Sequence, residues 1–93
     1  LKDIKELRDE IDNLDKELVA LLEKRLAVVT EVVQYKIDNN KPIFDASREE
    51  EVLVKNLKRV KNADYEAIIE KVLVALMDYS KEYQHKYLKE NTL

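Results

Sequence analysis

Residues 4–39, IKELRDEIDNLDKELVALLEKRLAVVTEVVQYKIDN, decide the fold. Apolar side chains recur at Ile4, Leu7, Ile11, Leu14, Leu18, Leu21, Leu22, Val29 and Val32, in steps of three and four. That period lines them along one side of an uninterrupted helix. With about 36 residues at 1.5 Å each, the helix is roughly 54 Å long. A compact chain of 93 residues has a radius of gyration near 12 Å and a diameter on the order of 32 Å. One copy cannot wrap such a rod, and most of the apolar stripe would face water. A symmetric homodimer that packs the long helices together is the simplest remedy.

The helix stops at Asn39-Asn40-Lys41-Pro42, because asparagine tolerates turn geometry and proline disfavours helix in the residue before it. Ile43 to Ala46 form a short connection. Ser47 with Glu50 fits a capping box, and Asp45 competes as N-cap two residues earlier. The second helix is expected to run to about Val60, with Leu53, Leu57 and Val60 inward. Asp12–Lys16 and Glu51–Lys55 are expected helix-surface pairs. Asn62-Ala63-Asp64 makes the next break, with Asp64 as cap. A third helix spans about Tyr65 to Lys89, its inward stripe built from Ile68, Ile69, Val72, Leu73, Leu76, Met77, Tyr83 and Tyr87. The fold class is therefore all-α, with one very long, one short and one long helix. Residues 1–93 read as a single domain.

Composition excludes much else. The chain has no glycine, one proline, no cysteine and one histidine, His85. Phosphate-binding loops, dinucleotide turns and tight hairpins rely on glycine's positive φ. The absence of cysteine removes disulfides, thiolate chemistry and cysteine-based metal sites. A lone histidine argues against a Ser-His-Asp triad and histidine metal centres, and His85 is expected to be exposed. A formal net charge of −3 argues against general nucleic-acid binding. No apolar run approaches the ~20 residues of a membrane helix. No signal peptide is visible, and the missing initiator methionine points to a trimmed chain or an excised domain. The expectation is a cytoplasmic helical protein with no metal and no cofactor. The five tyrosines read as core or interface residues rather than a base-stacking platform, and the lysines from Lys55 to Lys61 as a solvated face.

The informative residues are charges that break the apolar pattern. Arg25 and Lys36 project along the centre of the first helix's stripe, beside Leu18, Val29 and Val32. A buried cation without a counter-charge is very costly. The plain alternative is a structural ion pair or snorkelling to solvent; for both cations together, an anionic ligand is the better answer. They stand about 16 Å apart along the axis, which suits a small molecule with two separated anionic groups. Ser80 and Gln84, one turn apart on the third helix, add neutral hydrogen-bonding groups on the inward side. Asp45, Arg48 and Glu49, at the entrance to the second helix, fall over one mouth of the same space. Arg8 lies about 25 Å before Arg25, so it joins the set only from an antiparallel partner helix. Otherwise it is a solvated surface charge.

In this order and spacing the residues resemble one family, the all-helical chorismate mutases. The likeness runs through Leu7-Arg8-Asp9-Glu10-Ile11-Asp12, Leu21-Leu22-Glu23-Lys24-Arg25, Lys36, Pro42-Ile43-Phe44-Asp45, Arg48-Glu49, and Ser80 with Gln84. It covers essentially the whole chain. The resemblance implies an intertwined homodimer that converts chorismate to prephenate in aromatic amino-acid biosynthesis, without metal or cofactor. It implies that Arg25 and the partner's Arg8 hold the substrate carboxylates. Lys36 and Gln84 donate to the ether oxygen, Arg48 and Glu49 bind near the ring hydroxyl, Asp45 supports that end, and Ser80 assists a carboxylate. Isochorismate-pyruvate lyase on the same fold is the nearest alternative, since fold alone does not settle chemistry. A non-catalytic helical dimerisation or regulatory module is a further one, and a mutase domain within a larger, two-enzyme protein is also consistent.

Overall fold

The computed structural model describes residues 1–92. It contains three α-helices, α1 (Ile4–Asp38), α2 (Ala46–Leu57) and α3 (Glu66–Asn91), with one 3₁₀ turn at Ala63–Tyr65. The all-α class and the long-short-long order match the reading of the periodicity. Asp3 caps α1 by accepting from the Glu6 amide at 2.9 Å. At the other end the chain turns through Asn40, whose φ is 53°. A glycine-free chain needs another residue for that left-handed step, and asparagine's short polar side chain tolerates it.

Only the second half of α1 packs within the chain. The polar ties Arg25–Ser80, Thr30–Tyr83 and Gln34–Tyr87 advance together along both helices, so α1 and α3 run in the same direction. Among the described residues, the short α2 packs against α3 and makes no direct packing contact with α1. The buried apolar residues are Val33, Ile43 and Met77. By contrast, every residue from Leu1 to Leu21 is exposed, including Ile4, Leu7, Ile11, Leu14, Leu18 and Leu21. The molecule measures 58 × 26 × 14 Å, with a radius of gyration of 16.8 Å. That exceeds the roughly 12 Å of a compact chain this size, and the expected stripe does face water in a single copy.

Several local expectations need correction. Asp45, not Ser47, is the N-cap of α2: its carboxylate accepts from the Arg48 amide at 3.0 Å. Aspartate caps as well as serine, and the earlier start brings Glu49 into the first turn, where the helix dipole favours an acid. α2 ends at Leu57 rather than Val60, which is nevertheless half-buried. Asn62, not Asp64, holds the next break, its side chain accepting from the Asp64 amide at 3.0 Å. That local bond supports the 3₁₀ turn and delays α3 to Glu66. Ile68 and Val72 are exposed rather than inward. Glu51 pairs with Arg48 at 2.6 Å instead of Lys55, and Asp12 makes no ion pair with Lys16. Exposed pairs are worth little, so their geometry is not enforced. No helix among the described residues is long and apolar enough to cross a membrane.

Candidate functional site

Five described residues are buried, and two of them are polar: Ser80 and Gln84, each 7% exposed. With Met77 they follow one stripe of α3, at steps of three and four. Burial of polar side chains is tolerated only when their hydrogen bonds are met. Ser80 Oγ donates to the Leu76 carbonyl at 2.6 Å and accepts from Arg25 Nη1 at 2.5 Å. Lys36 Nζ donates to the Ile43 carbonyl at 2.7 Å and, more weakly, to Gln84 Oε1 at 3.4 Å. An ammonium can only donate, so the amide oxygen faces it. Among the described residues, no buried side-chain nitrogen or oxygen is left orphaned. The Gln84 amide nitrogen has no protein acceptor among the described residues, so it keeps an accessible face.

Arg25 and Lys36 are both half-buried, and among the described residues neither has a carboxylate within 4.0 Å. The structural ion pair weighed against a ligand is therefore not formed. Their protein partners are neutral: a hydroxyl, a carbonyl and an amide. Lys36 sits in the last turn of α1, where the helix dipole favours a cation. Its bond to Ile43 also pins the connection leading into α2.

These groups line a cavity of about 170 Å³. Arg25, Lys36, Ser80 and Gln84 face it from α1 and α3, and Asp45, Arg48 and Glu49 from the start of α2. The fold thus brings together all the site candidates of the sequence except Arg8. Arg8 is exposed on the unpacked half of α1 and lies outside the cavity. Val29, Val32, Val52 and Met77 supply apolar wall. Arg48 lines the cavity although its guanidinium is engaged by Glu51 on the exposed side.

Lys81 is the one charged lining residue that the sequence reading missed. Its Nζ lies 2.9 Å from Glu49 Oε2 and 3.4 Å from Asp78 Oδ1, and 4.8 Å from the Phe44 ring centre. The hydrogen bond to Glu49 is the main influence raising its pKa above the ordinary lysine value; partial desolvation opposes this, and Asp78 adds to it. The signal was present, since Met77, Ser80, Lys81 and Gln84 form an i, i+3, i+4, i+7 set. Four cations against two carboxylates give the cavity a net charge of +2, in a chain of net charge −3. Neutral hydrogen-bonding groups, Ser80 and Gln84, share the lining with these cations, a combination suited chemically to a small anion. His85 is exposed, and no group of three or more His, Cys, Asp or Glu that could hold a metal ion occurs among the described residues.

The pattern of the family described as "Chorismate mutase type II" matches residues 7–85 of the chain. A bifunctional chorismate mutase/prephenate dehydratase of Buchnera aphidicola subsp. Schizaphis graminum is 34% identical, over 98% of this chain and 25% of that protein. Another protein of the same name, from Buchnera aphidicola subsp. Acyrthosiphon pisum, is 48% identical over 52% of the chain and 12% of its own length. The T-protein of Haemophilus influenzae is 38% identical over 87% of the chain and 22% of its own length. The chain spans about a quarter or less of the curated relatives it matches. No solved structure gives a significant match.

Proposed function

The chain belongs to the chorismate mutase type II family, and we propose that its cavity rearranges chorismate to prephenate once a second copy completes it. The observation that carries this reading is the pair of half-buried cations, Arg25 and Lys36, facing Ser80 and Gln84 without any carboxylate partner. Chorismate is a dicarboxylate joined through an enol ether, which matches an arrangement of separated cations around neutral donors.

The reaction is an intramolecular Claisen rearrangement. The ether C–O bond breaks, a C–C bond forms, and no proton or electron leaves the substrate, so the protein need supply no nucleophile, base or cofactor. Its work is to hold the chair-like conformer and to stabilise charge growing on the ether oxygen. Arg25 takes one carboxylate, with Ser80 orienting the guanidinium and assisting. Lys36 and the accessible amide nitrogen of Gln84 converge on the ether oxygen. Arg48 and Glu49 bind near the ring hydroxyl, and Asp45 holds that end of α2 in place.

The second carboxylate falls to the partner's Arg8. In one chain, Arg8 is about 25 Å along the helix from Arg25. An intertwined homodimer with α1 against α1 covers the exposed face from Ile4 to Leu21 and brings Arg8 to the other copy's cavity. Residues 1–93 act as one mutase domain in this reading, working in the cytoplasm. Chorismate and isochorismate, supplied separately with product identification, test it. Prephenate from chorismate supports the mutase; pyruvate and salicylate from isochorismate alone would assign a lyase.

A further inference from the structure

The short helix α2 carries one wall of the cavity yet contains no buried residue. Its polar attachment to the rest of the molecule is narrow. Among the described residues, Glu49–Lys81 is the only ion pair between two helices, and the side-chain hydrogen bonds between helices all join α1 to α3. Lys81 meets Glu49 at 2.9 Å, and the two side chains keep only 26% and 27% of their exposure. Phe44, in the connection before α2, lies under the same ammonium at 4.8 Å. Asp78 restrains it from its own helix at 3.4 Å. Lys81 is thus held from three directions, by α2, α3 and the connection.

Glu49 uses only Oε2 in this contact. Its other oxygen has no ion pair or hydrogen bond among the described residues, and the residue lines the cavity. We infer that Lys81 is a positioning residue: it fixes the Glu49 carboxylate so that the free oxygen accepts from the substrate hydroxyl, and it fastens α2 as a wall of the site. The inference rests on the mutase reading above. Lys81 acts through Glu49 and touches no reacting atom. A carboxylate held by a rigid, charge-assisted bond loses less freedom when it binds a hydroxyl than one left to swing.

The test is a double-mutant cycle on the full chain, with kcat/KM for chorismate and circular dichroism measured for every variant. Lys81→Met keeps an unbranched apolar side chain and removes the charge; it should lower kcat/KM on the order of 10-fold. Lys81→Arg, which preserves the pair, should restore most of that loss. In a Glu49→Gln background, Lys81→Met should add less than about 2-fold, because the route through Glu49 is already cut. A Lys81→Met enzyme as active as the parent overturns the inference, as do losses that multiply independently in the double variant. A merely structural lysine would give that second result. If Lys81→Met loses its helical signal, the cycle with Lys81→Arg and Lys81→Gln decides by the same criterion. A parent protein that forms no prephenate would instead bring down the mutase reading and this inference with it, a result visible before any variant is made.

Discussion

Lys36 Nζ stands 3.4 Å from Gln84 Oε1 and 2.7 Å from the Ile43 carbonyl, so one ammonium joins the end of α1, the buried stripe of α3 and the connection to α2. The contact orients Gln84 as well as Lys36. With its oxygen occupied by the cation, the amide presents its N–H groups to the cavity.

An amide donates at any ordinary pH, whereas a carboxyl group donates only while protonated. The rate of the parent protein should therefore change little between pH 6 and 8. Gln84→Glu should be most active in acid and lose activity as pH rises, because ionisation removes its donor. Rate–pH profiles of kcat for both proteins check this. A parent rate that collapses across the same interval contradicts Gln84's role.

Two chains are needed for each site if Arg8 comes from the partner. Arg8→Ala and Lys36→Ala chains should each be nearly inactive as homodimers. Mixed and reassembled, they form heterodimers with one intact site and one doubly damaged site. With random pairing, activity should recover to about a quarter of the parent value, as symmetry requires. Co-refolding followed by an activity assay reads this directly, and no recovery from a confirmed heterodimer contradicts a shared site.

Asp45 has a structural duty that can be separated from its charge. Its carboxylate caps α2 through the Arg48 amide at 3.0 Å. Asp45→Ala should cost about 1 kcal/mol, within the usual range for a lost cap, while Asp45→Asn should cost little. Urea unfolding at neutral pH distinguishes the two variants.

The Lys81–Glu49 bond also leaves a mark on alkaline stability. Glu49, with Asp78 contributing, raises the Lys81 pKa in the folded protein above 10.5. A raised pKa means that the stabilisation is fully present below the unfolded-state value and fades as pH climbs through the folded-state value. The stability difference between the parent and Lys81→Met should accordingly hold from neutral pH to about 10 and shrink above it. Denaturant titrations of both proteins across that range give the difference.

Much of this architecture was legible because it rests on periodicity. The three- and four-residue spacing marks α1 nearly to its last residue, and the charges that interrupt it, Arg25 and Lys36, mark the cavity. Ser80 and Gln84 were readable for the same reason, as polar residues on an inward stripe. Lys81 was missed although it shares that stripe, because a lysine next to a stripe edge usually reaches water; its burial depends on Glu49 and Phe44 arriving from elsewhere in the chain. The cap of α2 was ambiguous because Asp45 and Ser47 are near-equal caps. The inward assignments of Ile68 and Val72 failed within one chain because periodicity identifies an apolar face without identifying what covers it. Arg8 is exposed and outside the cavity of a single copy, because 17 residues of straight helix separate it from Arg25.

The most direct measurement is chorismate consumption by the purified protein, with prephenate identified as product, beside Lys36→Ala under the same conditions. The account predicts turnover by the parent and a kcat lower by roughly 10²- to 10³-fold in the variant, the usual loss for one preorganised donor, with the helical fold retained. A folded dimeric parent that leaves chorismate unchanged, or a Lys36→Ala variant that turns it over at the parent rate, would contradict it.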